Sequence, residues 1–571
     1  MGVLRPSVPL GLAANLRGGR LMRNVGIMAI GALIMTTALA RAADSEYTQW
    51  LEQTYPPDAP GAAAIVVKED KVVFRGASGL ADMELGVPLS PDNVFRIGSI
   101  TKQFTAAAIM LLADQGKLSV SDSINEYLPD YPTHGHTITI ENLLTHTSGV
   151  FNYTSIPGYF NGAEIRKDVS IDELIQVFAD LPMDFSPGEE YRYSNSGYVL
   201  LGAIIEKASG QSYSDFMQTA IFDKLGLKNS YYGGPQLIPD RARGYQGTAG
   251  EYSNAGYLSM TQPHGAGALL STVDDLAKWT AALFGGDLVS AKSLELMTSD
   301  YELNNGDGAG YGYGFGLSEL FGARQIAHNG GIHGFASSGI WLPDHKVYVV
   351  VLSNNPDSGS HGFLAARMAL DAAGVDYPQL EAIAPEPERF AEYVGVYRIN
   401  ERETRTVMVD DGHLVTQRTG GGKSKIVAYA DDAFFYPGTF FHLQFYRDNS
   451  GRVDGMDMFQ SGGDEAERAE RESDTAVTTA NVAKVSPEIY DLWAGRYEVV
   501  PGTILSVIRA GDHLTMQMTG QPEFEVLPLS MTRYFLTAFD AEVEFTAGED
   551  GLGESLVIYQ GGAETVAHRI D

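Results

Sequence analysis

One short segment of the chain reads Ser99-Ile100-Thr101-Lys102, where an extended stretch meets a predicted helix that runs on to Gln115. Ser99 and Lys102 are three residues apart and therefore share one face of that helix. Backbone N–H groups are free at a helix start and can stabilise the oxyanion of an acyl-transfer intermediate. A lysine held inside the protein near this positive end is pushed towards its neutral form and can accept the serine proton. The segment predicts either a serine nucleophile with its base or a simple helix cap.

Two further segments carry side chains of the kind that catalysis uses. Tyr193 and Asn195 stand at the start of another predicted helix, where a buried tyrosine beside a cap explains them as well. His328 is followed closely by Gly330 and Gly331, as in a strand edge where glycine lets the backbone approach a ligand. Taken alone, each segment is compatible with a purely structural role.

The chain from residue 44 to residue 376 mixes strand and helix patterns. Ala62–Lys68 and Lys71–Gly76 flank an acidic pair and predict an early hairpin. Val347–Ser353 is an uninterrupted apolar, β-branched run of the kind that forms a buried strand. Helices are predicted over residues 99–115, 170–179 and 195–208. This irregular alternation predicts one α/β or α+β domain.

A proline-rich linker over residues 377–388 separates this half from a different pattern. Beyond it the sequence repeats itself at a constant offset of 100 residues, which separates Tyr397 from Tyr497 and Phe445 from Phe545. Both copies show short alternating strands and turn signals, with almost no helical periodicity. We therefore predict two related antiparallel β-barrel domains, over residues 386–475 and 485–571.

The composition excludes several classes of function. The 571 residues include 40 Lys and Arg against 72 Asp and Glu, and a formal charge of -32 argues against binding to nucleic acid phosphates. The chain has no cysteine, which excludes disulfides, thiolate metal sites and a cysteine nucleophile. Any chemistry must use Ser, His, Lys, Tyr or carboxylate side chains.

Residues 1–42 predict a secretory signal peptide. The first 43 residues hold five arginines and no acid, and the apolar run Val25–Ala40 ends in the small-residue stretch Ala40-Arg41-Ala42-Ala43. A membrane anchor is the competing interpretation, but the run is shorter than the roughly 20 apolar residues that span a bilayer. No later segment is apolar enough to do so. We expect an exported, periplasmic protein.

In this order and spacing, the segments around Ser99, Tyr193 and His328 resemble the serine β-lactamase and penicillin-binding-protein family, in the branch of class C β-lactamases, D-aminopeptidases and related esterases. Further matches are Leu143–Gly149, Gly265–Thr272 and Asp274-Asp275-Leu276. The resemblance covers about residues 62–355 and implies a β-lactamase/transpeptidase-like α/β (α+β) catalytic domain. One catalytic domain followed by two β-barrels is similar to the D-aminopeptidase layout.

The resemblance also implies roles for four residues, carried over by position. Ser99 would be the acylated nucleophile and Lys102 its base. Tyr193 would relay protons and help deacylation. Asn195 would hold both Lys102 and the substrate amide. The family needs neither a metal ion nor another cofactor.

His328 departs from the family pattern. It occupies the place where lactamases and DD-peptidases have the lysine of Lys-Thr-Gly, and the backbone N–H groups of Ser99 and Gly331, beside Gly330, would form the oxyanion hole. A lysine is a cation that attracts the carboxylate of a penicillin, whereas a histidine, with an ordinary pKa near about 6.5, is mostly neutral at pH 7. This departure from the family pattern therefore argues against efficient β-lactamase or carboxypeptidase action.

The function implied is that of an exported serine hydrolase that forms an acyl-enzyme and cleaves a small peptide. The peptide would contain D-residues, or be one such as linearised microcystin. An esterase or amidase for small acyl substrates is the alternative within enzymes. A penicillin-binding sensor, in which slow deacylation traps the adduct, is the alternative from another class. The sequence leaves the oligomeric state open.

Three further segments of the sequence are weaker candidates for a functional role. Glu523, in the turn Thr519–Phe524, is placed to meet a substrate amine if a loop of the last barrel reaches the active site. His134 and His136 form a spaced pair typical of metal ligands, but an apparent turn without carboxylate partners favours solvated loop. His146 is interpreted as a structural histidine whose hydrogen bonds are satisfied.

Overall fold

The computed structural model describes the chain from residue 46 to residue 571 with short gaps. The predicted signal peptide lies outside the described residues. Of the described residues, no helix is both long and apolar enough to cross a membrane. The gaps are residues 161, 249, 360, 401–402, 420, 461–465, 474–482, 484, 501–502, 512, 520–522, 537–540, 549–550 and 561–562.

An antiparallel sheet of six strands forms the centre of the first half. The predicted buried strand Val347–Ser353 pairs on one side with Ala62–Lys68 and on the other with Phe335–Leu342. Glu69 and Asp70 both have positive φ, as the tight turn of the predicted hairpin requires. The strand order is Gly316–Leu320, Ala323–Ile332, Phe335–Leu342, Val347–Ser353, Ala62–Lys68 and Lys71–Ser78.

Helices cover both faces of this sheet. Successive side chains of its strands point to opposite sides, so neighbouring residues of one strand belong to different cores. Ala63 and Ile65 belong to the larger core, which also holds the helix Thr101–Asp114. Ala64 and Val66 belong to the second core, under the helix His361–Ala373. The predicted α/β (α+β) catalytic fold is therefore confirmed.

The other helices of this half lie mostly on the larger core. They are Ile140–Leu144, Ile171–Gln176, Asn195–Ser209, Tyr213–Phe216, the π-helical turn Met217–Phe222, Asp223–Leu225, His264–Gly267, Val273–Gly285 and Ala291–Met297. The short strands are Leu80–Asp82, Val87–Pro88, Phe95–Arg96, Tyr231–Tyr232, Tyr245–Gln246, Ser253–Asn254 and Leu269–Ser271. The helix predicted over 170–179 is regular only to Gln176, and the next four residues form turns.

Two antiparallel β domains follow, as predicted. The first begins with the helix Phe390–Tyr393 and forms a nearly closed sheet of nine strands. Its two edge strands are consecutive in the sequence, with only Ile426 between them. In sheet order its strands are Lys423–Lys425, His413–Arg418, Thr404–Asp410, Gly395–Arg398, Ala466–Ser473, Val453–Phe459, His442–Arg447, Ala433–Phe435 and Val427–Ala430.

The second β domain is a closed barrel of eight strands. The helix Pro487–Trp493 precedes it. The strands are Gly495–Val500, Thr503–Ala510, His513–Met518, Glu523–Pro528, Arg533–Leu536, Ala541–Ala547, Gly553–Gln560 and Ala563–Arg569.

The repeat at an offset of 100 residues is visible in the packing of both β domains. The buried Tyr397 donates its hydroxyl hydrogen to the Tyr393 carbonyl at 2.6 Å, and the buried Tyr497 donates to the Trp493 carbonyl at 2.9 Å. Each tyrosine thus ties the first strand to the helix in front of it. This hydrogen bond is common to the two β domains.

Candidate active site

Ser99 lies in a sharp turn between the strand Phe95–Arg96 and the helix Thr101–Asp114. The turn is a short 3₁₀ helix, Gly98–Ile100, and Ser99 is half-buried within it. Gly98 has a φ of +50°, and a Cβ at this position would stand 3.0 Å from the backbone nitrogen of Gly331. Only glycine suits a positive φ at such a close approach. The turn thereby brings the segment of Ser99 against the strand that carries Gly331.

Lys102 is fully buried and its amine has three polar neighbours. Its Nζ lies 3.1 Å from Ser99 Oγ, 2.8 Å from Asn195 Oδ1 and 2.9 Å from the Ala266 carbonyl oxygen. Burial without a counter-ion lowers the pKa of Lys102 well below its ordinary value. A neutral amine has two N–H groups and one lone pair. The two carbonyl oxygens can accept both hydrogens, which leaves the lone pair for the Ser99 hydroxyl.

Tyr193 contacts both Ser99 and Lys102. The Lys102 nitrogen lies 4.7 Å from the centre of the Tyr193 ring, and the phenol hydrogen-bonds the Ser99 side chain. Burial raises the pKa of Tyr193, while that hydrogen bond opposes the rise. The phenol therefore stays protonated at neutral pH. It can pass a proton on, whereas Lys102 is the group with a free lone pair.

Asn195 is oriented by two residues that the sequence analysis missed. Its Nδ2 donates to Asn152 Oδ1 at 3.4 Å and to Thr154 Oγ1 at 3.1 Å, while the Asn152 oxygen also accepts the Asn195 backbone N–H at 3.0 Å. These contacts turn Asn195 Oδ1 towards Lys102. They also engage the amide hydrogens that the resemblance assigns to the substrate. The order Asn152-Tyr153-Thr154 gives no motif that could have identified them.

His328 lies on the strand Ala323–Ile332. Its ring packs near the rings of Tyr193 and Tyr311. Its Nδ1 lies 2.6 Å from the Asn329 carbonyl oxygen and must donate to it, so that Nε2 accepts from the Tyr311 hydroxyl at 2.8 Å. Burial is the main cause that lowers the pKa of His328 to about 3. His328 is therefore a neutral imidazole with both nitrogens engaged. Tyr311 was missed by sequence analysis because it belongs to no recognised segment.

The two glycines of the His328 segment differ in their surroundings. A Cβ on Gly330 would lie 2.2 Å from the Ile97 carbonyl oxygen and 2.3 Å from Ser337 Oγ, so this position admits no side chain. Gly331 is exposed, and a Cβ there would meet no atom within 4 Å. The open space is on the side of Gly331, and Gly330 serves the close packing of the strand against the turn of Ser99.

His146 is only half satisfied, in contrast to the expectation of a fully bonded structural histidine. Its Nδ1 accepts the Ser194 backbone N–H at 3.1 Å, but its buried Nε2 has no hydrogen-bond partner among the described residues. The ring packs 4.2 Å from Tyr193 and 4.8 Å from Tyr311, measured between ring centres. The ring of His146 therefore packs among aromatic side chains, and one of its two nitrogens lacks the hydrogen bond that the sequence analysis expected.

The hydrogen bonds of Glu523 and His134 are made with residues other than those of the candidate site. Glu523 begins the strand Glu523–Pro528 and accepts a hydrogen bond from Thr515, and most of the turn before it lies outside the described residues. His134 has a positive φ, and its Nε2 contacts the Ala179 carbonyl oxygen at 3.3 Å. In the described part of the chain, no three His, Asp or Glu side chains converge as metal ligands do.

Comparison with known proteins identifies several relatives of this chain. Penicillin-binding protein 4* of Bacillus subtilis is 28% identical over 516 residues, which are 87% of this chain and 92% of that protein. A D-aminopeptidase of Gluconobacter oxydans is 28% identical over 343 residues, 58% of this chain and 60% of its own length. The solved structure of an octameric penicillin-binding protein homologue from Pyrococcus abyssi has a TM-score of 0.53 at 26% identity and covers 75% of this chain and 99% of its own.

The family assignment follows from the catalytic half of the chain. Residues 50–373, more than half of the sequence, match the model of the β-lactamase family. The match spans the whole six-stranded sheet and the helices on both of its faces. The chain belongs to the β-lactamase family of serine hydrolases.

Proposed function

We propose that this chain is an exported serine peptidase that is acylated on Ser99 and cleaves peptides containing D-residues. The observation that carries the proposal is the contact between the buried Lys102 amine and the Ser99 hydroxyl, at 3.1 Å. Export rests on the signal peptide predicted over residues 1–42. N-terminal sequencing of the secreted protein tests whether this segment is removed.

Acylation begins with the transfer of the Ser99 proton to the lone pair of Lys102. The two N–H groups of the neutral amine stay on Asn195 Oδ1 and the Ala266 carbonyl, so the lysine need not reorient as it takes the proton. The serine oxygen then attacks the peptide carbonyl carbon. Backbone N–H groups at Ser99 and Gly331 are the proposed donors to the oxyanion.

The leaving amine needs a proton, and Tyr193 is the group proposed to deliver it. Its phenol already hydrogen-bonds the Ser99 side chain and stays protonated at neutral pH. The phenol gives its proton to the amine and is reprotonated from Lys102, which restores the neutral lysine. Water then attacks the acyl-enzyme as Lys102 takes its proton. The bond from the acyl carbon to the Ser99 oxygen breaks, Lys102 returns the proton to that oxygen, and the carboxylic acid product leaves.

Preference for D-residues rests on similarity alone and is tested directly. The relative from Gluconobacter oxydans is named a D-aminopeptidase, and it is 28% identical to this chain over 343 residues. Purified protein is incubated with a short peptide bearing D-Ala at the cleaved bond and with its all-L isomer. We expect cleavage of the D form at a rate at least about tenfold higher, a difference of about 1.4 kcal/mol in transition-state binding.

The Ser99→Ala protein is the control for this comparison. Cleavage by that variant at a rate close to that of the unaltered protein would show that Ser99 is not the nucleophile. Equal cleavage of both isomers by the unaltered protein would reject the D preference but keep the peptidase. Failure on both peptides, together with turnover of simple esters, would reject the peptidase.

An esterase is the second candidate, and the neutrality of His328 favours it. Both imidazole nitrogens are engaged by Tyr311 and Asn329, so this ring offers no cation to a substrate carboxylate. A small neutral ester is therefore not disfavoured at this position. Sustained turnover separates either enzyme from a penicillin-binding sensor, which would give one stoichiometric burst and stop.

The pH dependence tests which group titrates in the working range. Activity requires neutral Lys102, so kcat/KM should fall as the pH falls and the amine takes up a proton. His328, with a pKa of about 3, remains neutral over that range and should add no step. We expect His328→Gln to lower the level of kcat/KM but to leave the position of the acid limb unchanged. A limb that moves or disappears in this variant would show that His328 is the titrating group.

A further inference from the structure

Arg96 is a buried cation without a counter-ion. Its side chain belongs to the strand Phe95–Arg96 and is only 9% exposed, and its Nε has no hydrogen-bond partner. Among the described residues no carboxylate forms an ion pair with it. Its guanidinium lies 5.9 Å from the centre of the Phe335 ring, a contact that stabilises a cation only modestly. Buried charges in proteins are normally paired, so this arginine calls for an anion from elsewhere.

Arg96 lines a cavity of about 420 Å³ that we call the arginine pocket. Arg241, Arg243 and His333 also line it, and no Asp or Glu does. Arg243 is engaged, at 3.5 Å from Asp82 and 3.4 Å from Glu84. Arg241 is exposed and forms no ion pair within the described part of the chain. Arg96 and Arg241 thus line the pocket without a carboxylate partner among the described residues, in a protein whose net charge is -32.

The arginine pocket adjoins the active site along two segments of the chain. Arg96 precedes Ser99 by three residues, so their Cα atoms are at most about 11 Å apart. His333 follows Gly331 by two residues, at the turn between Ala323–Ile332 and Phe335–Leu342. A short peptide with its carbonyl at Ser99 can therefore reach the pocket with a neighbouring side chain.

We propose that the arginine pocket binds a carboxylate of the substrate, so that the enzyme selects acidic peptides. Arg96 and Arg241 supply the guanidinium groups, which match a carboxylate in geometry and charge. This deepens the proposed function, because it names the substrate class of the same site. It also gives the site the cation that His328 does not provide.

Binding to the Ser99→Ala protein tests the pocket without turnover. The probes are two end-blocked peptides, N-acetyl-Glu-D-Ala-Ala-amide and N-acetyl-Ala-D-Ala-Glu-amide, each beside the twin with Gln in place of Glu. Calorimetric titration should give at least one Glu peptide an affinity about 10- to 100-fold above its twin, as expected for charge-assisted hydrogen bonds. Equal affinity of Glu and Gln peptides, or binding of none, overturns the proposal.

Substitutions locate the effect. Arg241→Gln, at an exposed position, should reduce the preference for Glu about tenfold, and Arg96→Met should abolish it. If Arg96→Met does not fold, Arg241→Gln decides the question alone. Arg324→Gln is the control, since it removes the same charge from an exposed position on the strand Ala323–Ile332 and should leave the preference unchanged. An equal effect of Arg324→Gln would assign the preference to overall charge and overturn the pocket.

The outcome for the pocket is separate from the outcome for the proposed function. Selective binding of Glu peptides without any hydrolysis by the unaltered protein would keep the pocket and reject the peptidase. Hydrolysis of Glu and Gln peptides at equal kcat/KM, with equal binding, would keep the peptidase and reject the pocket.

Discussion

Ser99→Ala is expected to lower kcat by at least about 10⁴-fold on any peptide or ester that the protein hydrolyses. No other described side chain offers a nucleophilic oxygen to the Lys102 amine, whose remaining neighbours are two carbonyl oxygens. Removing a serine nucleophile leaves only the contribution of binding and oxyanion stabilisation. The half-buried Ser99 can lose its hydroxyl without opening a large cavity, so the fold should persist.

The measurement combines steady-state kinetics with detection of the acyl-enzyme. Mass spectrometry of the unaltered protein, quenched during turnover of a slow ester, should show a covalent adduct on the peptide that contains Ser99. The Ser99→Ala protein should show none, and its substrate affinity should remain within about threefold. Retention of more than about a tenth of the activity would place the nucleophile elsewhere.

The sequence predicted the parts of the site that are encoded locally. Ser99 and Lys102 are three residues apart where a turn leads into a helix, so their spacing alone predicts that they meet. The two β domains were equally predictable, since Tyr397 and Tyr497 recur at one offset and make the same hydrogen bond in both copies. Local signals of this kind need no knowledge of tertiary contacts.

The sequence did not predict the residues that set the state of the site from a distance. Asn152 and Thr154 orient Asn195 from a loop more than 40 positions away, and Tyr311 engages His328 from another. Neither loop has a periodicity or a motif that marks it. The unpaired charge of Arg96 was also invisible, because the absence of a counter-ion is a property of the folded surroundings and not of the residue.

The state of His328 shows how such distant contacts decide chemistry. From the sequence, a histidine at this position was expected to be mostly neutral because of its ordinary pKa. In the fold the same conclusion has another cause, because burial lowers the pKa and two hydrogen bonds occupy both nitrogens. Proton transfer is thereby left to Lys102 and Tyr193, and attraction of an anion is left to groups outside this ring.

Lys102→Met should lower kcat/KM by about 10³- to 10⁴-fold, through loss of the base that accepts the Ser99 proton. Methionine keeps most of the bulk of lysine but leaves Asn195 Oδ1 and the Ala266 carbonyl without their donor, so unfolding in urea should be measured alongside. Residual activity should lose the acid limb of the pH profile, because the group that takes up the proton is gone.

Lys102→Arg distinguishes a base from a fixed positive charge at the same position. A guanidinium donates hydrogen bonds but does not lose its proton at any working pH, so it cannot accept the proton of Ser99. If Lys102 acts as a neutral base, the arginine protein should be as inactive as the methionine protein. If the lysine served only to stabilise negative charge on the reacting oxygen, arginine should restore a large part of the rate. Since burial already disfavours the charged form of Lys102, we expect no restoration.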